Sequence, residues 1–298
     1  MTRALVVGPA SWNSVVHLGA LPPGRTGTVF AHRDGRGLGG TSAGKAVTLA
    51  ALGIDVTLRT LLGPDDEGAL VRAALTHPRI TVDVGAADRT ERHLNLMTDD
   101  GGRLSVYLAL PAAPSPEPPP RLLRLLRSGG VDLALVDLAD HARPFLAATR
   151  DAGVPVWCDL HDDDGAAGFQ RAFAAAADVL VVSEERLTDP RAFLSERVAA
   201  GARLAVCTRG AAGAVARDAT GWIEVPAVPV TAVDSNGAGD AFVAGLAHAT
   251  LTGHPVERAL AFAAAVAAQG VASPGLGAPV VDVTRAWADA DRLAVRRV

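Results

Sequence analysis

Five stretches of strand length run almost unbroken as apolar residues: ALVVG (4 to 8), VDLALVDL (131 to 138), VPVWCDL (154 to 160), DVLVVS (178 to 183) and RLAVCT (203 to 208). A strand with one face in water alternates polar and apolar residues, whereas a continuous run needs cover on both faces. Between the runs lie Ala/Leu/Arg segments with helical spacing, which predict helices over 42 to 52, 66 to 76, 121 to 128, 142 to 152, 168 to 176 and 190 to 200. Strands alternating with helices predict an α/β fold, a doubly wound and mostly parallel sheet with helices on both faces. Such a fold needs a large core, and the 49% hydrophobic content supplies it.

Two segments break the rhythm. GTVFAHRDG (27 to 35) and TERHLNLMTDDGGRLSVYLAL (90 to 110) alternate polar and apolar residues, and the second carries a turn signal at Asp99, Asp100, Gly101 and Gly102. They predict a small antiparallel β lid, from segments of about 13 to 36 and 89 to 111, on a single domain spanning residues 1–298. PAAPSPEPPP (111 to 120), with six prolines in ten residues, predicts a stiff extended return to the core.

Charge and cysteine content narrow the function classes. The net charge of −4 comes from 28 basic and 32 acidic residues with no basic stripe, so nucleic acid is not an expected partner. The longest apolar run, 259 to 268, is too short to span a membrane, and the apolar run at the start is too short for a secretory core. The expectation is a soluble, cytoplasmic protein. Cys158 and Cys207 each close a short apolar run and read as buried strand thiols, with neither a disulfide nor a cysteine metal site.

The chemistry concentrates in VDSNGAGDAFVAGLAHATLTG (233 to 253). Phe242, Gly245, Leu246 and Ala249 share one helical face, so a helix starts near Gly237, Ala238 and Gly239 and stops near Gly253. Free N–H groups at that start, unshielded by side chains, favour an anion. Asp240 in the first turn stands where it can take a proton from an attacking hydroxyl, which joins a base to an anion hole as phosphoryl transfer requires. Taken alone, a G-x-G-D reads more often as a helix cap beside a turn than as a catalytic site.

Here the sequence resembles the ribokinase-like, or PfkB, family of sugar kinases, whose signature reads D-T-x-G-A-G-D-x-F. Asp234, Gly237, Ala238, Gly239, Asp240 and Phe242 match it in order, and LGG near residue 40, ALGIDVTLRTLLGPDDEG (51 to 68), ADVLVVSEERL (177 to 187) and CTRGAAG (207 to 213) extend the likeness along the chain. The resemblance implies ATP-dependent phosphorylation of a small sugar-like acceptor, with Asp240 as general base and residues 237 to 240 holding the transferred phosphate. It implies ATP against Thr208, Arg209, Gly210, Ala211, Ala212 and Gly213, with Ser183, Ala264 and Ser273 contributing. It also implies a potassium site at Asp234 and Asn236, with carbonyls around Gly270, Ser273 and Gly275.

The family's N-x-x-E motif, which organises Mg2+, falls on Ser183, Glu184, Glu185 and Arg186. Both named positions depart from it, leaving Glu184 or Glu185 to act through water. On the acceptor side Asn13 stands where Asp is usual and Gly44 where Asn is common, beside Gly39, Gly40 and Thr41. His93, Asn95 and Met97 alternate on the lid strand, where they face either the acceptor or simply a partly exposed hairpin face. Altered hydroxyl partners argue against ribose itself. A nucleoside kinase, and a catalytically weak binding protein on the same fold, stay open beside a sugar kinase, as does a homodimer through the lid.

Two further clusters invite metal or nucleotide readings. Asp159, His161 and Asp162 to Asp164 follow a strand, yet the last four are consecutive rather than spaced for ligation, and a solvated loop explains them better, with an indirect role left to Asp159 at the sheet's carboxyl edge. GRGLGGTSAGKA (35 to 46) overlaps two phosphate-binding patterns: Gly39, Gly44 and Lys45 nearly complete a P-loop, and Gly35, Gly37 and Gly40 a dinucleotide turn. Ala46 lacks the hydroxyl a P-loop needs after its lysine, and no buried strand is expected before the first glycine.

Overall fold

The runs rich in Val, Leu and Ala become the strands of one sheet because only burial on both sides removes all of their apolar surface from water. A computed structural model describes residues 2–22, 24–98, 102–112, 117–166, 168–234, 236–273 and 275–298. In chain order the elements begin with β1 (Arg3–Val7), β2 (Ser11–Leu18), β3 (Arg33–Gly39), α1 (Thr41–Ala51), β4 (Asp55–Leu62), α2 (Asp66–Ala74), β5 (Ile80–Ala86), β6 (Arg92–Thr98) and β7 (Arg103–Ala109). They continue with α3 (Pro120–Arg127), β8 (Leu133–Val136), α4 (Arg143–Asp151), β9 (Val156–Asp159), α5 (Arg171–Ala176), β10 (Val179–Ser183), α6 (Pro190–Ala199) and β11 (Leu204–Thr208). β12 (Ala214–Asp218), β13 (Gly221–Val225), α7 (Ala238–Leu251), α8 (Val256–Val271), α9 (Val283–Ala290) and β14 (Arg296–Arg297) complete the chain.

The main sheet has the order β14-β13-β12-β11-β10-β9-β8-β1-β4-β5. It is parallel from β5 to β11 and antiparallel from β11 to β14. Alternate residues of each strand enter opposite cores. Ala4, Val6, Leu133 and Leu135 join the core under α1, α2, α7, α8 and α9, whereas Leu5, Val7, Ala134 and Val136 join the one under α3 to α6. This is the doubly wound α/β fold expected from the sequence. The helix faces are close-packed: a methyl group at Gly245 of α7 would lie 3.0 Å from Ala263 Cα and Val266 Cβ of α8.

A second sheet, β3-β2-β6-β7, stands off the carboxyl ends of the main strands. It consists of two antiparallel pairs, β3 with β2 and β6 with β7, joined by a parallel contact between β2 and β6. That seam is parallel because β2 and β6 both leave the carboxyl ends of parallel strands, β1 and β5. Asp65 roots the lid, capping α2 through Gly68 N–H (2.9 Å) while accepting Thr90 N–H (2.7 Å).

The first lid strand corrects the sequence reading. The strand lies over Arg33–Gly39 rather than 27 to 35, and residues 27 to 32 form no strand. β3 (RDGRGLG) has little strand propensity of its own; pairing from Ser11↔Gly39 to His17↔Arg33 supplies its backbone hydrogen bonds. Of the expected hairpin turn, residues 99 to 101 lie outside the described residues, as do residues 113 to 116 of the proline-rich connector. Among the described residues no helix is long and apolar enough to cross a membrane.

Candidate active site

Four elements converge at the carboxyl ends of β8 and β9, and each contributes a charged or hydroxyl side chain. Asp137 directly follows β8, Asp159 ends β9, Asp240 lies in the first turn of α7, and Thr41, Ser42 and Lys45 lie in the first turns of α1. Lys45 is fully buried, and its Nζ lies 2.9 Å from Asp137 Oδ1, 3.0 Å from Asp159 Oδ2 and 3.1 Å from Asp240 Oδ1. Its Nζ also donates to Thr41 Oγ1, and the Thr41 hydroxyl donates to Asp240 Oδ1. The Ser42 hydroxyl donates to Asp137 Oδ2 at 2.6 Å.

Glycines make these approaches possible. Gly8 has φ +151°, and a Cβ there would sit 2.4 Å from Ser42 Oγ; at Gly44 a Cβ would sit 2.6 Å from Asp240 Oδ2. The space above Gly44 is thus filled by the carboxylate of Asp240.

Burial and charge compete over each group. Burial alone would lower the Lys45 pKa, but Asp137, Asp159 and Asp240 outweigh it and hold the ammonium charged, above its ordinary value. Asp159 is raised by burial, yet His161 and Lys45 prevail and bring it to about 2; His161 donates its backbone N–H to the carboxylate at 3.0 Å. For Asp240 burial wins, raising its pKa against the pull of Lys45 and His161. Asp240 therefore combines a raised proton affinity with one fixed oxygen, Oδ1. Its Oδ2 has no hydrogen-bond partner among the described residues.

α7 begins at Gly237, which is left-handed with φ +78°, and no side chain caps it. Its first N–H groups, around Ala238, Gly239 and Asp240, accordingly point out of the helix beside the Asp240 carboxylate. A Cβ at Gly237 would fall 2.3 Å from Gly277 N, so this glycine is required by packing as well.

On the lid side, the Asn13 side chain lies over Gly39, where a Cβ would be 2.0 Å from Asn13 Nδ2, and its Oδ1 accepts His93 N–H at 3.1 Å. The expectation that Gly39 and Gly40 bring backbone close to a ligand has a nearer cause: Asn13 fills the space at Gly39, and a Cβ at Gly40 (φ +90°) would meet Pro9 O at 2.4 Å. His93 Nε2 is 2.8 Å from Glu91 Oε1, and its ring lies 4.0 Å from that of Tyr107. Asn95 Oδ1 and Ser11 Oγ are buried without a hydrogen-bond partner among the described residues.

The segment expected to meet ATP is the exposed turn from β11 into β12. Arg209 N–H donates to Gly213 O at 2.7 Å, and Gly213 has φ +88°. Ser183 pairs in register with Thr208. Ser273 sits past the end of α8, its hydroxyl donating to Gln269 O (3.1 Å), whereas Ala264 is buried within α8.

Glu184 and Glu185 are exposed on the turn after β10, beside Ser183, whose hydroxyl accepts the Glu185 N–H at 3.4 Å. Arg186 lies 3.3 Å from Asp164 and 3.8 Å from Asp162, on the loop after β9. Asp234 and Val271 bring the two halves of the expected potassium site together, with Asp234 N–H donating to Val271 O at 3.1 Å. Asn236 N–H donates to Asp234 Oδ1 at 2.9 Å, and Gly270 O accepts Ser273 N–H at 3.1 Å, while Gly275 is exposed.

The structure adds Lys45, Asp137 and Ser42 to the site. The lysine of the false P-loop pattern serves carboxylates rather than phosphates, and the strand before it, β3, belongs to the exposed lid and not to a buried sheet. Asp159, left with an indirect role at the sheet edge by the sequence, is a buried partner of Lys45 rather than part of a solvated loop. Both cysteines are buried and unpaired; burial raises Cys158 well above its ordinary value and pushes Cys207 up to about 11, which leaves both thiols unreactive.

A profile described as pfkB family carbohydrate kinase matches residues 12–282. An acarbose 7(IV)-phosphotransferase from Actinoplanes sp. is 33% identical over 293 residues, covering 94% of this chain and 96% of that protein. An ATP-dependent ribose-1-phosphate kinase from Halopiger xanaduensis is 30% identical over 306 residues, covering 96% and 98%. Among solved structures, the microbiome-derived acarbose kinase Mak1 superposes with a TM-score of 0.85 at 27% identity, covering 98% of this chain and 99% of that one.

Proposed function

The chain belongs to the pfkB family of carbohydrate kinases, and we propose that it transfers the γ-phosphoryl group of ATP to a hydroxyl of a saccharide acceptor, with Asp240 as the general base. The observation that carries this is the state of Asp240: Oδ1 is held by Thr41 and Lys45, and Oδ2 is free beside the uncapped start of α7. Asp240 Oδ2 takes the proton of the acceptor hydroxyl as its oxygen attacks phosphorus in line. The N–H groups of residues 237 to 240 meet the negative charge that gathers on the phosphoryl oxygens.

Nucleotide phosphates are assigned to the turn from Thr208 to Gly213, with Ser183 and Ser273 flanking them and Ala264 behind. Glu184 and Glu185 would hold magnesium through its waters, and the ion supplies charge neutralisation to the phosphates when bound. The loops at Asp234, Asn236, Gly270, Ser273 and Gly275 are the place for a potassium ion.

The acceptor is assigned to the cleft between the lid and α1, lined by Asn13, Gly39, Gly40, Thr41 and Gly44. Glu91, His93 and Tyr107 form its lid wall. Relatives named for acarbose and for ribose 1-phosphate support a saccharide as the acceptor. Residues 1–298 act as one catalytic unit in this reading, and the exposed Leu104, Val106 and Leu108 of edge strand β7 are where the lid of a second copy would meet it.

An acceptor panel followed by ADP release tests the reading. Acarbose, ribose 1-phosphate, free pentoses and hexoses, and nucleosides are compared, with Asp240→Asn as control. A saccharide is expected to give the highest kcat/KM, and Asp240→Asn to lower kcat by about 10²–10⁴-fold with ATP affinity by calorimetry unchanged. Turnover of nucleosides alone would move the acceptor class, and near-normal turnover in Asp240→Asn would remove the base.

A further inference from the structure

We infer that Lys45 is the positioning residue for the catalytic base: it anchors Oδ1 of Asp240 and so presents Oδ2 to the acceptor. This rests on the reading of Asp240 as the base, and it assigns a role to a side chain that the family signature does not include. Three observations support it.

The first is cost. A lysine with no exposed surface is tolerated only among carboxylates, and replacing such an ionic cluster by apolar residues is commonly neutral or stabilising. Three carboxylates around one ammonium, at 2.9, 3.0 and 3.1 Å, exceed what neutralising the lysine requires. Stability alone does not account for the arrangement.

The second is geometry. The Lys45 ammonium hydrogen-bonds Thr41 Oγ1 and Asp240 Oδ1, and three carboxylates from three elements lie within ion-pair distance of it: Asp137 after β8, Asp159 at the end of β9 and Asp240 in α7. Asp137 and Asp159 fix Lys45 from the rigid sheet, and Lys45 in turn fixes Asp240. Thr41, one helical turn before Lys45, donates to the same Oδ1. Both donors fall on one oxygen of Asp240 and none on the other, which is the asymmetry a carboxylate base requires.

The third is ionisation. The charged groups facing Asp240 are Lys45 on α1, Asp159 and His161 at and after β9, and Asp137 behind Lys45. Burial and Asp159 favour the protonated, inactive form of Asp240, while Lys45 is the first of the groups opposing it. Cys158 is also buried nearby, with its thiol held neutral by burial.

The test uses Lys45→Gln and the double variant Lys45→Gln/Asp137→Asn. The double variant removes one carboxylate together with the ammonium, so it serves where the single variant does not fold. In folded protein, kcat at pH 7 is expected to fall about 100-fold while KM for ATP stays within about threefold, as for a base displaced from its position. The acid limb of kcat/KM is expected to move up by at least about one pH unit, an extra tenfold loss on the acid side. In protein without substrate, the 13C signal of the Asp240 carboxyl is expected to titrate at higher pH than in the wild type.

A folded variant whose kcat and carboxyl titration both match the wild type overturns the proposal, because a merely structural lysine would change thermal stability and leave both where they were. A raised carboxyl titration with an unchanged activity profile supports the clamp and overturns the general-base reading of Asp240 instead.

Discussion

Gly44→Ala is the smallest change that acts on the base without touching its chemistry. The new Cβ would stand 2.6 Å from Asp240 Oδ2 and 3.0 Å from its Cβ and Cγ. An ordinary carbon–oxygen contact is about 3.3–3.6 Å, so Oδ2 has to retreat by about 0.7–1 Å. The carboxylate cannot simply rotate away, because Oδ1 is held by Thr41 and Lys45. A displacement near 1 Å costs about 10²-fold in a positioned reaction, and kcat is expected to fall by about 30–100-fold with KM for ATP unchanged.

Stability responds differently. Overpacking costs about 1–3 kcal/mol, and alanine in a helix interior returns about 1 kcal/mol over glycine, so the melting temperature should move by only a few degrees. Steady-state kinetics with thermal denaturation separates the two effects, and Gly19→Ala, where nothing lies within 4 Å, is the control. Gly44→Asn, with a larger side chain against the same carboxylate, should be worse than alanine rather than better. A folded Gly44→Ala enzyme with kcat within threefold of wild type would refute the reasoning.

Two further outcomes follow from buried groups. Thr48, fully buried in α1, accepts Ala278 N–H at 2.9 Å and donates to Gly44 O at 2.9 Å. Thr48→Val keeps the shape but strands Ala278 N–H, which should cost about 1–3 kcal/mol and be read as a lower urea midpoint; an unchanged midpoint contradicts it. The second concerns acid. Asp240 is raised above the ordinary aspartate value, so turnover should fail at a pH above 3.8 as the base is protonated. Asp159 is held at about 2, below its unfolded value, so its contribution to stability is complete above about pH 4 and is lost only between about pH 4 and 2. Activity should therefore disappear on acidification before the circular dichroism signal does, and their simultaneous loss would count against both assignments.

The parts of the fold legible in the sequence are those whose environment is uniform. β1, β8, β9, β10 and β11 are covered on both faces and read as apolar runs, and the six helices expected before residue 200 lie within a few residues of their predicted spans. β4 and β5 near the sheet edge carry Thr57, Arg59 and Asp83 on faces that a central strand would bury, so their strand signal is diluted. β3 has almost none, because its stability comes from the β2 backbone beside it.

At the site, Asp240 and the start of α7 were legible because base and glycines are adjacent in sequence. Lys45 was visible only as part of a P-loop coincidence, since its partners lie 92, 114 and 195 residues away. A usable signal did exist. Lys45 falls one turn before Leu49 and beside Ser42 and Ala46 on the buried face of α1, and the runs at β8 and β9 each end in an aspartate. A lysine on an apolar helix face together with carboxylates at the ends of buried strands is a pairing that burial energetics demand.

Under the proposed function, the same geometry ties acceptor recognition to base positioning. Thr41 and, one turn later, Gly44 and Lys45 lie on one helix, and all three bear on the single carboxylate of Asp240: a donor, a space and a cation. Gly8 confines the helix start from the other side, where its missing side chain admits Ser42 and, through it, Asp137. A substitution at residue 44 that admits a different acceptor must therefore also move the base, unless residue 41 or 45 changes with it. The effects of Gly44→Ala and Lys45→Gln on kcat should fall well short of additive, because once Lys45 releases Oδ1 the carboxylate is free to yield to the new methyl group. A double-mutant cycle in kcat measures this directly. Additivity within about 0.5 kcal/mol, the level found for residues with no shared partner, would show that the helix start and the base are set separately.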